Sequence, residues 1–195
     1  MADVYKFKVK LVDLENVIWR DIEITSVSSM AKLGYAVLAA FESAGSHLFN
    51  IKHKGEQYEI VFDDDFPDEP VIDPIKTKLA KLNLAIGDIL TMEYDYGVMW
   101  EFSIELVSLT EMKKGMGNHY PYVTDGKGKG IVEDISPYEL MEIVEKTDSD
   151  GIIPKVYDYF LREEVDWDYR DFNLELCNLL FKDNLTDIQC GYEEY

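Results

Sequence analysis

Arginine is almost missing from this 195-residue chain: Arg20, Arg162 and Arg170 are the only three. Recombinases and nucleases need clustered positive charge or a metal around the phosphate they transfer, so a site built on several arginines is excluded. Cysteine is equally scarce. Cys177 and Cys190 lack CxxC spacing, which argues against a disulfide scaffold or structural zinc and for two reduced thiols. No stretch approaches the roughly 18 to 20 apolar residues needed to cross a bilayer. The opening MADVYKFKVK has no apolar signal core, so a cytoplasmic location and no membrane partner are expected. Catalytic motifs are lacking too: there is no GxSxG elbow, no HExxH and no Cys/His nucleophile arrangement. GKGKG at 126–130 has no Ser or Thr after its lysine, and no strand is expected before it, so it is read as a loop rather than a phosphate cradle. DDDFPD and KTDSDG fail as calcium loops, the first because Asp68 stands where glycine is required, the second because it would start with Lys146 and put Tyr157 at the glutamate position.

Carboxylates are what the chain has in excess. Its net charge is −20, from 19 Lys+Arg against 39 Asp+Glu. Residues 1–62 hold 7 of the basic and 8 of the acidic side chains, leaving 12 against 31 beyond them, so net −19 lies in residues 63–195. Nucleic-acid affinity comes from cations neutralising phosphates, and no basic patch stands out, so no direct nucleic-acid binding is expected. Solubility is the ordinary reason for such a surface. Two sharper readings are a surface for a basic protein partner and carboxylates that mimic a phosphate backbone. With 47% hydrophobic and 13% aromatic residues, the chain has ample apolar material for one core.

Period-two alternation in VYKFKVKLVDL (4–14) and VIWRDIEI (17–24) predicts an opening hairpin. A helix follows, with Ser28 or Ser29 as cap and Leu33, Val37, Leu38 and Phe41 at helical spacing before Gly45. SHLFNIKH and QYEIVF flank Gly55 as a second hairpin, and ILTMEYDYGVMWEFSIEL (89–106) reads as a third. Between them, 63–74 reads as an acidic, proline-bearing loop and IKTKLAKLNL as a short helix. Residues 113–136 carry a glycine-rich, extended connection, and 137–147, 154–164 and 173–183 read as three helices. One domain over 1–195 is therefore expected, α+β in class: a mainly antiparallel sheet built from hairpins with a packed helix (1–112), the connection, and an acidic helical part (137–195).

Several polar residues invite a functional reading beside a plain one. Alternation puts Asp95 on the outward face with Thr91 and Glu93; it either accepts turn amides or belongs to a site. His47 falls in register with Phe49 and Ile51, as a core-edge histidine or a metal ligand, and it is about 20 Å along a strand from His53, too far to share an ion. A metal at His47 would need distant carboxylates such as Asp95, Glu133 and Asp134. Arg20 shares a face with Ile18, Ile22 and Ile24, a placement that calls for a carboxylate partner or, alternatively, a bound anion. Trp100 lies with Phe102, Ile104 and Leu106 on a core face and is the aromatic candidate for binding. His119 shows no partner.

VIWRDIEI, the helix ending in AAF, HLFNI, MEYDYGVMWEFSIEL, YPYVTDGKGKGIVED and DFNLELCNLL occur in an order that resembles a family named after the third open reading frame of a root-inducing (pRiA) plasmid. That family is also met as a passenger of insertion-sequence elements, and it carries a resolvase-like label in some transposons. YDYG with a tryptophan three residues after the glycine is its most specific landmark. The resemblance implies an α+β domain of bacterial or archaeal origin, linked with mobile DNA, without an assigned activity. Where the family has an acidic residue after that glycine this chain has Val98, and where it commonly has a histidine two residues after the tryptophan this chain has Phe102. The family's tryptophan after the helix is absent from Glu42 to Gly45, and Ile131 and Val132 replace its two prolines. Of its polar cluster His47, Asp95, Glu133 and Asp134 persist. The leading expectation is a non-enzymatic, acidic protein-interaction domain with no cofactor; the alternatives are a metal-dependent hydrolase using those four residues, with Arg20 holding an anion, and a DNA mimic.

Overall fold

The structure is a computed structural model that describes residues 2–62, 70–133, 135–158 and 162–194. The acidic loop expected at 63–74 therefore lies largely outside the described residues. Seven antiparallel strands form one sheet: β1 (Asp3–Leu11), β2 (Trp19–Thr25), β3 (Phe49–His53), β4 (Glu56–Glu59), β5 (Ile89–Tyr94), β6 (Trp100–Glu111) and β7 (Tyr122–Lys127), in the order β4-β3-β5-β6-β1-β2-β7. Three hairpins are where alternation put them, and Lys54 and Gly55 turn the second with positive φ at both positions.

Register decides which face is core. Phe7 pairs with Ile22 and Leu106, and Val9 with Arg20 and Ile104. Met92 pairs with Phe102 and Ile51. These residues and Trp100 are fully buried. The opposite face is polar: Lys6 and Lys8 reach Asp21 at 3.0 and 3.2 Å, and Lys52 reaches Glu93 at 2.7 Å. A sheet with one wet face gives the clean alternation that made its strands readable.

Helix α1 (Met30–Ala40) starts at Ser29, whose side chain accepts from the Lys32 amide, and lies on the apolar face. It carries the chain from β2, near one end of the sheet, to β3, near the other. Amphipathic packing was expected, yet Lys32 alone among its residues escapes full burial. The reason is α3 (Leu174–Glu193), which covers its outer side by stacking Tyr192 on Tyr35 at 5.4 Å between ring centroids. At Gly34, by contrast, the Phe49 ring occupies the space a Cβ would need.

The C-terminal part corrects three expectations. The glycine-rich connection is not simply a loop, because 122–127 pairs with β2 as the edge strand β7, so a strand does precede GKGKG. Gly126 there faces Arg20, and an added Cβ would meet the Phe172 ring at 2.6 Å. The helix expected at 154–164 is replaced by a separate hairpin, β8 (Lys155–Asp158) and β9 (Glu163–Asp166). Its apolar residues occurred at helical spacing by coincidence, and the β-branched and aromatic Val156 and Tyr157 suit a strand. The last helix runs ten residues beyond 183, taking Cys190 out of the expected tail. Helix α2 (Pro137–Asp150) agrees with its expectation: a Ser136/Glu139 capping box opens it and Gly151, at φ 68°, ends it.

Candidate functional site

His47 and Asp95 meet where the β5–β6 turn approaches the segment after α1, and Glu133 binds that segment at Ser43 and Ala44. Asp95 follows β5 with φ 55°, its N–H bonded to the Leu48 carbonyl at 3.0 Å. This left-handed backbone breaks the alternation, so Asp95 turns inward and is buried rather than facing outward as expected. Its Oδ1 accepts the Gly97 amide at 3.0 Å, and its carbonyl accepts those of Val98 and Met99. The turn role is thus fulfilled. Its Oδ2 lies 3.5 Å from His47 Nε2, so one carboxylate serves the turn and the imidazole together.

His47 precedes β3 rather than lying on it, with its side chain 40% exposed. Its ring stands edge-on to Tyr94 at 5.9 Å, and its carbonyl accepts a hydrogen bond from the Tyr192 hydroxyl. Tyr94 joins this pair to Glu133. Glu133 Oε1 accepts from Tyr94 Oη at 3.2 Å, Ser43 Oγ at 2.8 Å and the Ala44 amide at 2.9 Å. Ser43 and Tyr94 are both fully buried. Burial and the adjoining Glu133 charge push the Tyr94 hydroxyl up to about 12, so it stays neutral and donates.

Sequence reasoning missed Tyr94, Ser43 and Tyr192. Tyr94 belongs to the YDYG landmark and was readable only as core; Ser43 and Tyr192 carried no local signal, since their partners are distant in sequence. Asp134 lies outside the described residues. Among the described residues no three His, Cys, Asp or Glu side chains converge as a metal-holding set. The family's lost polar positions are filled by packing: Phe102 meets Phe41 edge-on at 4.9 Å, and Val98 packs against the core.

The remaining candidates lie apart. Arg20 is fully buried, and the carboxylate expected for it is replaced by backbone carbonyls: Nε donates to Ala40 at 2.9 Å, and Nη1 to Trp19 at 2.9 Å and Lys127 at 2.8 Å. Phe172 and Phe41 flank the guanidinium at 4.3 and 5.1 Å. Burial lowers its pKa. Trp100 is likewise fully buried in the core. His119, expected to be without partners, packs its ring on Tyr122 at 4.1 Å.

A family model described as plasmid pRiA4b ORF-3-like protein matches residues 3–178. No curated protein matches the chain. Among solved structures, the protein of unknown function MM3350 from Methanosarcina mazei Go1 is similar in fold, with a TM-score of 0.72 and 20% identity. The match covers 90% of this chain and 96% of that one. No described helix is long and apolar enough to cross a membrane.

Proposed function

This chain belongs to the plasmid pRiA4b ORF-3-like family, and within it we propose a cytoplasmic, non-enzymatic interaction domain whose acidic part receives a basic amphipathic segment of another protein. One observation carries this reading: the outward face of α3. Phe181, Leu185, Ile188 and Tyr192 bury its inner face, while Leu176, Leu179 and Leu180 stand 53, 72 and 50% exposed. The same outward stripe continues at helical spacing through Asp183 and Asp187. Leucines followed by aspartates, within a segment of net −19, suit a helix that presents apolar side chains followed by lysines.

The test is binding of a synthetic Leu/Lys amphipathic peptide to the whole chain, with a scrambled peptide of equal composition as control. Saturable, salt-weakened binding that Leu179→Ser with Leu180→Ser abolishes is the expected result. Equal binding of the scrambled peptide would reduce the effect to bulk charge and sink the reading.

A second reading, metal-dependent hydrolysis, is supported only by the His47–Asp95 pair at 3.5 Å, since among the described residues no third carboxylate, imidazole or thiol joins it as a metal-holding set. Calorimetric titration with Mn²⁺ and Zn²⁺ tests it. Tight binding that His47→Ala removes would support it, and heat indistinguishable between the two proteins would count against it.

A further inference from the structure

The start of α1 lies beside the segment leading into the short 3₁₀ turn Leu79–Leu82, because Ser29 bridges Lys78 in antiparallel fashion. This wall faces the last turns of α3. Between them is a groove of about 380 Å³, lined among others by Ser28, Lys32, Lys78, Tyr120, Gln189 and Glu193. Its size is at the lower end of small-molecule sites, roughly 300 to 1,000 Å³.

Two lysines share this groove. Half of the sixteen lysines, Lys6, Lys8, Lys52 and Lys54 among them, reach a carboxylate among the described residues. Among the described residues neither Lys32 nor Lys78 is in an ion pair, although both line the same groove. The first amides of α1 do not supply the positive end of this site. Met30 N–H is bonded to the Thr77 carbonyl, Ala31 N–H to that of Pro74, and Lys32 N–H to Ser29 Oγ. The ammonium groups carry the charge, then, and no arginine stands in the lining. Ammonium groups act as compact point charges suited to phosphate oxygens, whereas planar carboxylates favour the guanidinium fork.

The opposite wall has the opposite character. Gln189 and Glu193 are one turn apart on α3 and hydrogen-bonded at 3.1 Å. A carboxylate beside an amide accepts and orients hydroxyl groups, and it disfavours a ligand that is anionic throughout. We propose that this groove binds a phosphomonoester of a small hydroxylated molecule, with Lys32 and Lys78 on the phosphate and Glu193 accepting from the hydroxyls.

Titration of the full chain with glycerol 3-phosphate, followed by amide chemical shifts, tests the proposal. The expected result is saturable shifts confined to residues around the groove, weaker binding of inorganic phosphate and none of glycerol. Lys32→Gln with Lys78→Gln should weaken binding about tenfold or more through loss of charge-assisted hydrogen bonds. Lys81→Gln with Lys114→Gln changes net charge equally at positions outside the groove and should leave affinity unaltered. Absence of saturable shifts at millimolar concentrations, inorganic phosphate binding as tightly as the ester, or equal weakening by the control pair would each overturn it.

Discussion

Glu133 shows how one side chain couples three distant segments. Its carboxylate takes hydrogen bonds from Ser43, Ala44 and Tyr94, and two of these donors belong to fully buried side chains. A buried donor left without its acceptor costs about 1–3 kcal/mol. Glu133→Ala should therefore destabilise the fold by about 2–4 kcal/mol, while Glu133→Gln, which retains one acceptor oxygen, should cost about half as much. Urea unfolding of both variants measures the difference, and equal losses would mean that bulk rather than acceptor chemistry matters at this position. Gly34 is the packing counterpart. Helix propensity favours alanine there by up to about 1 kcal/mol, but the Phe49 ring fills the space. Overpacking should prevail, with Gly34→Ala destabilising by about 1–3 kcal/mol. Adding Phe49→Leu should recover part of the loss, a non-additivity that a double-mutant cycle reads directly.

At the level of elements, β7 illustrates what alternation cannot reveal. Its sequence is YVTDGK, between a cis Tyr120–Pro121 bond and the glycines 128 and 130. Composition reads this as loop. The strand exists because β2 offers an open edge and because α3 closes the other side: Asn178 donates to the Val123 carbonyl at 2.8 Å and accepts its amide at 3.0 Å, as a neighbouring strand would. An edge satisfied by a side-chain amide is protected from pairing with other chains. Asn178→Ala should cost about 1–2 kcal/mol and leave the Val123 amide unpartnered. Its hydrogen-exchange protection should fall while that of β1 stays high. Loss of protection throughout the sheet would instead assign Asn178 to the global fold. The β8–β9 hairpin carries the converse lesson. Four-residue strands are too short for periodicity to separate them from a helical turn, and pairing between them decides.

The whole molecule combines an excess of negative charge with buried phenols. Burial raises the pKa of Tyr94 to about 12 from 10.0, and raises those of Tyr35 and Tyr192 as well. The neutral phenol is the form the folded state favours. Its contribution is complete below pH 10, where the unfolded chain also keeps the proton, and it is lost as pH rises through the folded value. Stability should thus fall steadily above pH 10, and the tyrosinate absorbance of these buried phenols should appear with unfolding, after that of exposed tyrosines such as Tyr138. Early, non-cooperative ionisation of these phenols would contradict their burial. At neutral pH a net charge of −20 opposes compaction. Raising the salt from low to physiological ionic strength should lift the thermal midpoint through screening; an unchanged midpoint would show that carboxylate repulsion is relieved locally by ion pairs such as Lys6–Asp21.

Sequence alone determined the family, the α+β class, the three hairpins and the acidic second part, because alternation, caps and turn residues are local and one face of the sheet is wet. Val9, Ile22 and Ile104 announced their burial through their neighbours. The tertiary structure alone decided that Asp95 turns inward, since a single left-handed residue reverses the side predicted by period two. It also decided that Arg20 Nε and Nη1 are held by carbonyls from α1 and β7, that Glu133 meets Tyr94, and that the lysines of two separate segments share one groove. The last three rest on contacts between residues tens of positions apart, which no local pattern encodes.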